Sequence, residues 1–412
     1  MKRLSMFLLP ACLALLCIGI SPSDPPDGVP PPDLKPVVDG NTQFALELYA
    51  KLRDGEGNLF FSPYSISSAL AIAYAGAGGA TEQQMADVMH FPLDQDECHT
   101  QMAKIRRALA RDGKRRGTEL RIANGLWPQK GQPLDRSYLR LVQGKHAASV
   151  DYVDYRMGAG RARDRINAWI ERNTEHLIKN ALGASDVTPD TRLIIANTIY
   201  FKGEWARRFE KALTTPGPFW ISENESVDTS MMEQKNEFLL ADADLLQVLE
   251  LPYKAHDMSM LVFLPKARGG LAELEAQLTP ENLAGWLGGL EWHTVDVRLP
   301  KLKMESRLPL RGTLTAMGMA DVFAPGAADF SGITRESMFF IMAVQHAAVV
   351  EVDEAGTVAA AATTTHGGCA PATVTPPPAT FHADHPFVFL IRDNRTGTVL
   401  FLGRVVDPRQ QD

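Results

Sequence analysis

Near its C-terminus this chain carries a run that is too small-chained to build a core, set between two strand-forming segments. His346 to Val352 is short and β-rich, Glu354-Ala355-Gly356-Thr357 interrupts it, and Val358-Ala359-Ala360-Ala361-Ala362-Thr363-Thr364-Thr365 follows with neither charge nor bulk. From Gly367 to Pro378 the chain is mostly Gly, Pro, Ala and Thr around one Cys, the composition of an exposed loop. A strand is thus followed by a second strand-compatible segment and then by a loop that a protease could grip. Small side chains let such a segment slide between packed neighbours without an overpacking penalty. Composition alone leaves open the alternative of a low-complexity surface loop.

The rest of the 412 residues constrains the setting. Helical spacing of apolar residues predicts helices over Thr42 to Arg53, Ser65 to Ala75, Thr81 to Met89, His99 to Arg111 and Gly160 to Leu177. Short β-rich segments follow at Leu193 to Phe201, Leu246 to Leu251, Met258 to Leu264, Thr294 to Leu299, Phe387 to Ile391 and Val399 to Val406, giving an α+β class. Phe387 to Ile391 and Thr398 to Leu402 flank Asp393-Asn394-Arg395-Thr396-Gly397, and both arms are apolar, so a hairpin buried on both faces is expected.

At the other end, Lys2 and Arg3 precede the uncharged stretch Leu4 to Ile20, which reads as an export signal over residues 1–20. Cys12 and Cys17 fall in it, loosely like the site where bacterial lipoproteins are cut and lipidated. Ser21 to Pro36 is a Pro-, Asp- and Ser-rich spacer, so residues 21–40 are read as linker and 41–412 as one domain. Only Cys98 and Cys369 lie beyond the signal, which excludes a disulfide-built scaffold. A net charge of −7 argues against a nucleic-acid partner.

Five ordered blocks make the chain recognisable. It resembles the serpin family of suicide protease inhibitors from about Thr42 onward. The blocks are Asn58 to Ile66 (Asn-Leu-Phe-Phe-Ser-Pro-Tyr-Ser-Ile), Ala196 to Trp205 (Ala-Asn-Thr-Ile-Tyr-Phe-Lys-Gly-Glu-Trp), Leu249-Glu250-Leu251-Pro252-Tyr253, the hinge Glu354 to Thr363, and Phe381-His382-Ala383-Asp384-His385-Pro386-Phe387 with Gly397 and Phe401-Leu402-Gly403-Arg404-Val405. The resemblance implies a mainly helical N-terminal half on a large mixed central β-sheet, two further sheets, and a reactive-centre loop at about 354–380. It implies a monomeric inhibitor rather than an enzyme, without cofactor or metal. Together with the N-terminus it suggests a secreted or lipid-anchored bacterial member, extracellular or periplasmic.

The implied mechanism is physically coherent with these residues. A protease cleaves the loop and forms its acyl-enzyme, and the freed arm inserts as a new central strand, dragging the protease with it. Alternate residues of a strand face one side, so Thr357, Ala359, Ala361 and Thr363 should point inward and Val358, Ala360 and Ala362 outward. Val358 departs from the Glu of many inhibitory relatives, at an outward position that tolerates it. Roughly ten new backbone hydrogen bonds at about 0.5–1.5 kcal/mol each would release on the order of 5–15 kcal/mol, comparable with a domain's whole stability. By the same resemblance Ser62, Ser65, Asn197 and His346 match a polar cluster beneath the sheet, and Gly203 and Trp205 the region where the loop enters.

The reactive bond is left open at four registers: Cys369-Ala370 is preferred, with Ala370-Pro371, Ala372-Thr373 and Thr373-Val374 as alternatives. Every candidate presents a small uncharged residue, which suits an elastase-like or subtilisin-like serine protease, or a cysteine protease, rather than a trypsin-like one. Lys104, Arg106, Arg107, Arg111, Lys114, Arg115 and Arg116 form a basic cluster that could meet a sulfated polysaccharide. Trp127, Trp169 and Trp292 are expected to be packing anchors. Cys369 with His366, His382 and His385 superficially suggests a cysteine hydrolase, but such a loop holds a nucleophile badly. His366 and Cys369 alone are too few ligands for zinc.

Overall fold

The computed structural model describes residues 30–110, 117–335, 339–357 and 377–409. The first helix, α1 (Lys35–Leu52), starts before the predicted Thr42. Pro36 reads as a breaker but occupies the first helical turn, where its missing N–H costs nothing. Val37 and Val38 are buried, so the end of the expected linker belongs to the folded body. Helix α2 (Pro63–Tyr74) is capped by the Ser62 hydroxyl, which accepts from Ser65 N at 3.2 Å. Every one of its residues is buried, as suits a helix apolar on all sides.

Helices α3 (Gly79–Met89) and α4 (Gln95–Leu109) follow, the latter capped by Asp94. Helix α5 (Arg136–His146), which helical spacing did not reveal, is capped by Asp135. Helix α6 (Tyr155–Asn173) is capped by Asp154 and kinked at Gly158. It stops short of the predicted Leu177 because Glu175 and His176 adopt positive φ. The short helices α7 (Leu271–Ala276), α8 (Pro280–Gly288) and α9 (Arg311–Met317) complete the helical set among the described residues.

The central mixed sheet runs in the order β10 (Leu302–Pro309), β11 (Val344–Val352), β4 (Leu193–Glu204), β2 (Thr118–Pro128) and β3 (Ser149–Val150), with the two-residue β12 (Gly356–Thr357) added to β4. Residues on β2, β4 and β11 pack against α6: Tyr155, Ile166 and Ile170 of the helix share one apolar cluster with Trp127, Ile194, Ala196, Ala347 and Val349. Helix α6 therefore lies across three adjacent strands.

The two further sheets expected from the resemblance are continuous. One nine-stranded sheet contains β1 (Leu59–Phe61), β15 (Val399–Val405), β14 (Phe387–Asp393), β8 (Met258–Pro265), β7 (Leu246–Pro252), β6 (Ser226–Asp242), β9 (Glu291–Pro300) and β13 (Ala379–His382), with β5 (Thr215–Trp220) on β6. The 17-residue β6 joins its halves, pairing with β7 through Leu239 to Asp242 and with β9 through Met231 to Leu240. Both arms of the β14–β15 hairpin are buried throughout, as their mostly apolar sequence predicts, and Arg392, Asp393 and Arg404 are buried with them.

Candidate functional site

Strands β11 and β4 are parallel neighbours from Val344 opposite Ile195 to Val349 opposite Tyr200. Their pairing stops there, although β11 runs on to Val352 and β4 to Glu204. Into this split end the chain folds back on itself. The Asp353 carboxylate accepts from the backbone N–H groups of Ala355 (2.9 Å) and Gly356 (3.2 Å), closing a tight turn. The chain then runs antiparallel to β4, Gly356 opposite Glu204 and Thr357 opposite Gly203. The interruption read in the sequence at 354–357 is thus a hairpin whose exit is the first step of a strand between β11 and β4. Gly356 is required: its φ is +136°, and a Cβ would sit 2.0 Å from the Gly203 carbonyl oxygen. The remaining hinge residues Val358 to Thr363, with their inward and outward assignment, and all candidate reactive bonds from Cys369 to Val374 lie outside the described residues.

Trp205 clamps this turn. Its backbone N–H donates to Ala355 O (2.9 Å), its indole Nε1–H donates to Asp353 O (3.0 Å), and its ring stacks on Tyr253 at 4.6 Å. Gly203 leaves room for that Tyr253 ring, which a Cβ would meet at 2.6 Å. Phe209 N donates to Glu354 O at 2.8 Å. The buried Glu354 carboxylate accepts from Lys301 Nζ at 3.0 Å and from the Thr214 hydroxyl at 3.0 Å. Burial pushes the Glu354 pKa up, but its own backbone N–H, Lys301 and Thr214 outweigh that and hold it below the usual carboxylate range. Phe209, Thr214 and Lys301 were not found from the sequence, because each reaches the hinge only through a long-range contact.

Farther down the same seam, the first turn of α2 grips both strands at once. Ser62 N donates to His346 Nε2 on β11 at 3.0 Å, and the Ser65 hydroxyl donates to Asn197 Oδ1 on β4. Asn197 Nδ2 donates onward to Asn124 Oδ1 on β2 at 2.7 Å, and Asn124 Nδ2 to the Ser68 hydroxyl at 2.9 Å. Asn124, Asn197 and His346 stand in one row across β2, β4 and β11 by strand register. All six residues are buried. Accepting at Nε2 fixes His346 as the Nδ1–H tautomer, and burial pushes its pKa down to about 3. The four cluster residues expected from the resemblance are therefore brought together. Asn124 was not among the expected residues; it lies within β2, whose chain runs straight through Gly125 with the Trp127 and Trp169 side chains over it.

Other expectations are corrected. The basic cluster is partly committed in the fold: Lys104 pairs with Asp33 at 3.0 Å and Arg106 Nε donates to Lys145 O at 3.1 Å. Lys104 and Arg107 are both exposed on α4, Lys104 within its surface pair, while Arg111, Lys114, Arg115 and Arg116 lie outside the described residues. Trp127 and Trp169 do pack edge to face, but Trp292 is 64 % exposed on an outward position of β9 and anchors nothing. The His385 ring bonds Asp384 and Pro265 O, each at 2.7 Å, so neither nitrogen is free to serve a thiol. Cys98 is buried, and burial together with Asp94 pushes its thiol up to about 12, which makes it inert.

The family model described as "Serpin (serine protease inhibitor)" matches residues 39–408. Leukocyte elastase inhibitor A of Mus musculus is 37% identical over 378 residues, 89% of this chain and 98% of that one. Uncleaved ovalbumin superposes with a TM-score of 0.81 at 31% identity, covering 90% of this chain and all of that one. Human thyroxine-binding globulin, in complex with thyroxine, gives 0.81 at 28% identity over 92% of this chain and all of that one. These relatives include both a named elastase inhibitor and a thyroxine-binding protein. They lend no support to the bacterial, secreted or lipid-anchored part of the expectation. A parallel seam with a hairpin seated at its open end, together with matches over nine-tenths of the chain, establishes that the protein belongs to the serpin family.

Proposed function

We propose that this chain is an irreversible suicide inhibitor of proteases. Cleavage of the loop beyond Thr357 would free an arm that continues β12 down the seam between β4 and β11. The observation that carries this reading is the seated hinge: Gly356 and Thr357 already pair with Glu204 and Gly203 in the antiparallel sense that full insertion requires. Insertion would also exchange one parallel pairing for two antiparallel ones, which are slightly more stable per residue. The small uncharged run Val358 to Thr363 presents nothing that would jam such a strand. The α2 staple through Ser62–His346 and Ser65–Asn197 is assigned the role of holding β4 and β11 together until insertion begins. The bait bond is placed at Cys369-Ala370, the target is an elastase-like or subtilisin-like serine protease or a cysteine protease, and the apolar N-terminus directs export.

Incubation with an elastase-like protease followed by denaturing gel electrophoresis tests the reading. A covalent complex stable to denaturant is expected. Clean loop cleavage without complex would instead assign a non-inhibitory member, acting as a binding or chaperone-like protein. Trapping trypsin fastest would overturn the specificity.

A further inference from the structure

Helix α6 carries five arginines, Arg156, Arg161, Arg163, Arg165 and Arg172, against only Asp164 and Glu171, in an otherwise acidic protein. Where α6 approaches the end of β2 there is a cleft of about 360 Å3, bounded by Lys130, Tyr152, Asp154, Gly158, Arg161 and Arg165. Its one lining carboxylate, Asp154, and the neighbouring Asp151 are spent on the protein itself. Asp151 holds Arg165 at 2.6 Å, and Asp154 caps the helix at Met157 N, 3.1 Å. Arg163 is taken by Asp164 at 2.8 Å. Among the described residues, Lys130 and Arg161 form no ion pair, and Lys130 feels Asp154 only as a nearby charge. Arg161 instead folds back over Gly158, whose Cβ position lies 3.0 Å from Arg161 Nε. A side chain at 158 would push that guanidinium out of the cleft. The rim carries two side chains of unusual exposure, Tyr152 at 40 % and Met157 at 79 %.

We propose that this cleft binds a sugar-sized ligand bearing at least two sulfate or phosphate esters. A guanidinium presents a planar fork of donors that matches such a tetrahedral oxyanion, and an ammonium supplies a point charge for a second one. Lys130 and Arg161 both line the cleft without an ion-pair partner, so a ligand can span the two, with Arg165 held by Asp151 one turn farther along the same helical face. The exposed Tyr152 ring offers an apolar face with a polar tip to the ring of a sugar-sized scaffold. The cleft volume admits a single such unit rather than a folded partner.

The site has a mechanical meaning that rests on the inhibitor reading. Lys130 lies two residues past the end of β2, whereas Arg161 and Arg165 belong to the helix that packs over Ala196 of β4 and Val349 of β11. A ligand joining Lys130 to Arg161 therefore ties α6 to the sheet whose seam must open, and would slow insertion.

The test is made on the unreacted full chain, so that it stands or falls separately from inhibition. Isothermal titration in low salt with a disulfated monosaccharide and, separately, inositol hexakisphosphate should give saturable binding to at least one. Tighter binding of the first would mark a sulfated sugar and of the second a phosphate ester. The double variant Lys130→Gln/Arg161→Gln should bind roughly tenfold or more weakly while keeping the wild-type melting temperature, as expected for loss of two charge-assisted contacts. Lys104→Gln/Arg107→Gln on α4 should bind within twofold of wild type. Absence of saturable binding to both probes, or loss confined to the α4 variant, would overturn the assignment.

Discussion

Removing the Asn197 side chain probes the staple most directly. Asn197→Ala deletes the bond from the Ser65 hydroxyl and the 2.7 Å bond to Asn124 Oδ1, and leaves both partners buried. A lost hydrogen bond costs about 0.5–1.5 kcal/mol net, and a buried group left unpaired about 1–3 kcal/mol, so two such losses amount to roughly 2–4 kcal/mol of native stability. The sign of the kinetic effect follows from geometry. His346 on β11 and Asn197 on β4 are held by one helical turn, through Ser62 N and the Ser65 hydroxyl. Parting the strands breaks at least one of these bonds, so a native state that never had the second lies closer to the opening barrier. If the whole loss is expressed there, spontaneous strand insertion accelerates about 30- to 1,000-fold. The assay incubates unreacted protein at a fixed temperature below its melting point. It follows the rate at which a urea-resistant form appears, alongside the urea midpoint of the fresh protein. If the midpoint falls while that rate stays within twofold of wild type, Asn197 merely satisfies the core and does not restrain opening.

Acid stability follows from buried imidazoles. Burial lowers the pKa of His99 to about 4, and of His146 and His346 to about 3, all below the unfolded value near 6.5. Between those values the unfolded chain binds protons that the native state refuses, so stability is full above about pH 6.5 and is lost as pH falls, by about 2 kcal/mol per histidine at pH 5. A urea midpoint that is flat from pH 6.5 to 5 would contradict this. Gly356→Ala would press a Cβ onto the Gly203 carbonyl; amide exchange at Thr357 should accelerate at least tenfold as β12 leaves β4, and unchanged protection would show the pairing is not needed. Trp205→Phe keeps the stack on Tyr253 but loses the 3.0 Å bond to Asp353 O, and should cost about 1–2 kcal/mol by urea unfolding. The mass of the fragment released by an inhibited protease locates the reactive bond, with a cut after Cys369 expected and a cut outside 369–374 refuting all four registers.

Much of the fold was legible because apolar pattern and burial coincide. The β14–β15 hairpin, buried on both faces, leaves no polar side to mislead, and α2 announces itself with Ser62-Pro63 ahead of an apolar run. Patterning failed where a local signal was overridden by packing. Pro36 spells a break yet opens a helix, because Val37 and Val38 find a core to enter. The basic run on α4 looked like a free patch because sequence cannot show that Asp33 and the Lys145 carbonyl would claim two of its charges.

What the sequence determined by itself was the kind of segment this protein carries: small, uncharged, and placed between a strand and a loop. Residue size and charge are local properties, so they can be read without a fold. Only the tertiary structure decided where that segment is aimed. The parallel pairing of β11 with β4, its early end at Val349 and Tyr200, and the grip of Trp205, Lys301 and Thr214 on the turn at 353–356 join residues more than 50 positions apart. Such contacts exist only once the chain has closed those loops, and the closure is specified by the whole core rather than by any stretch within it.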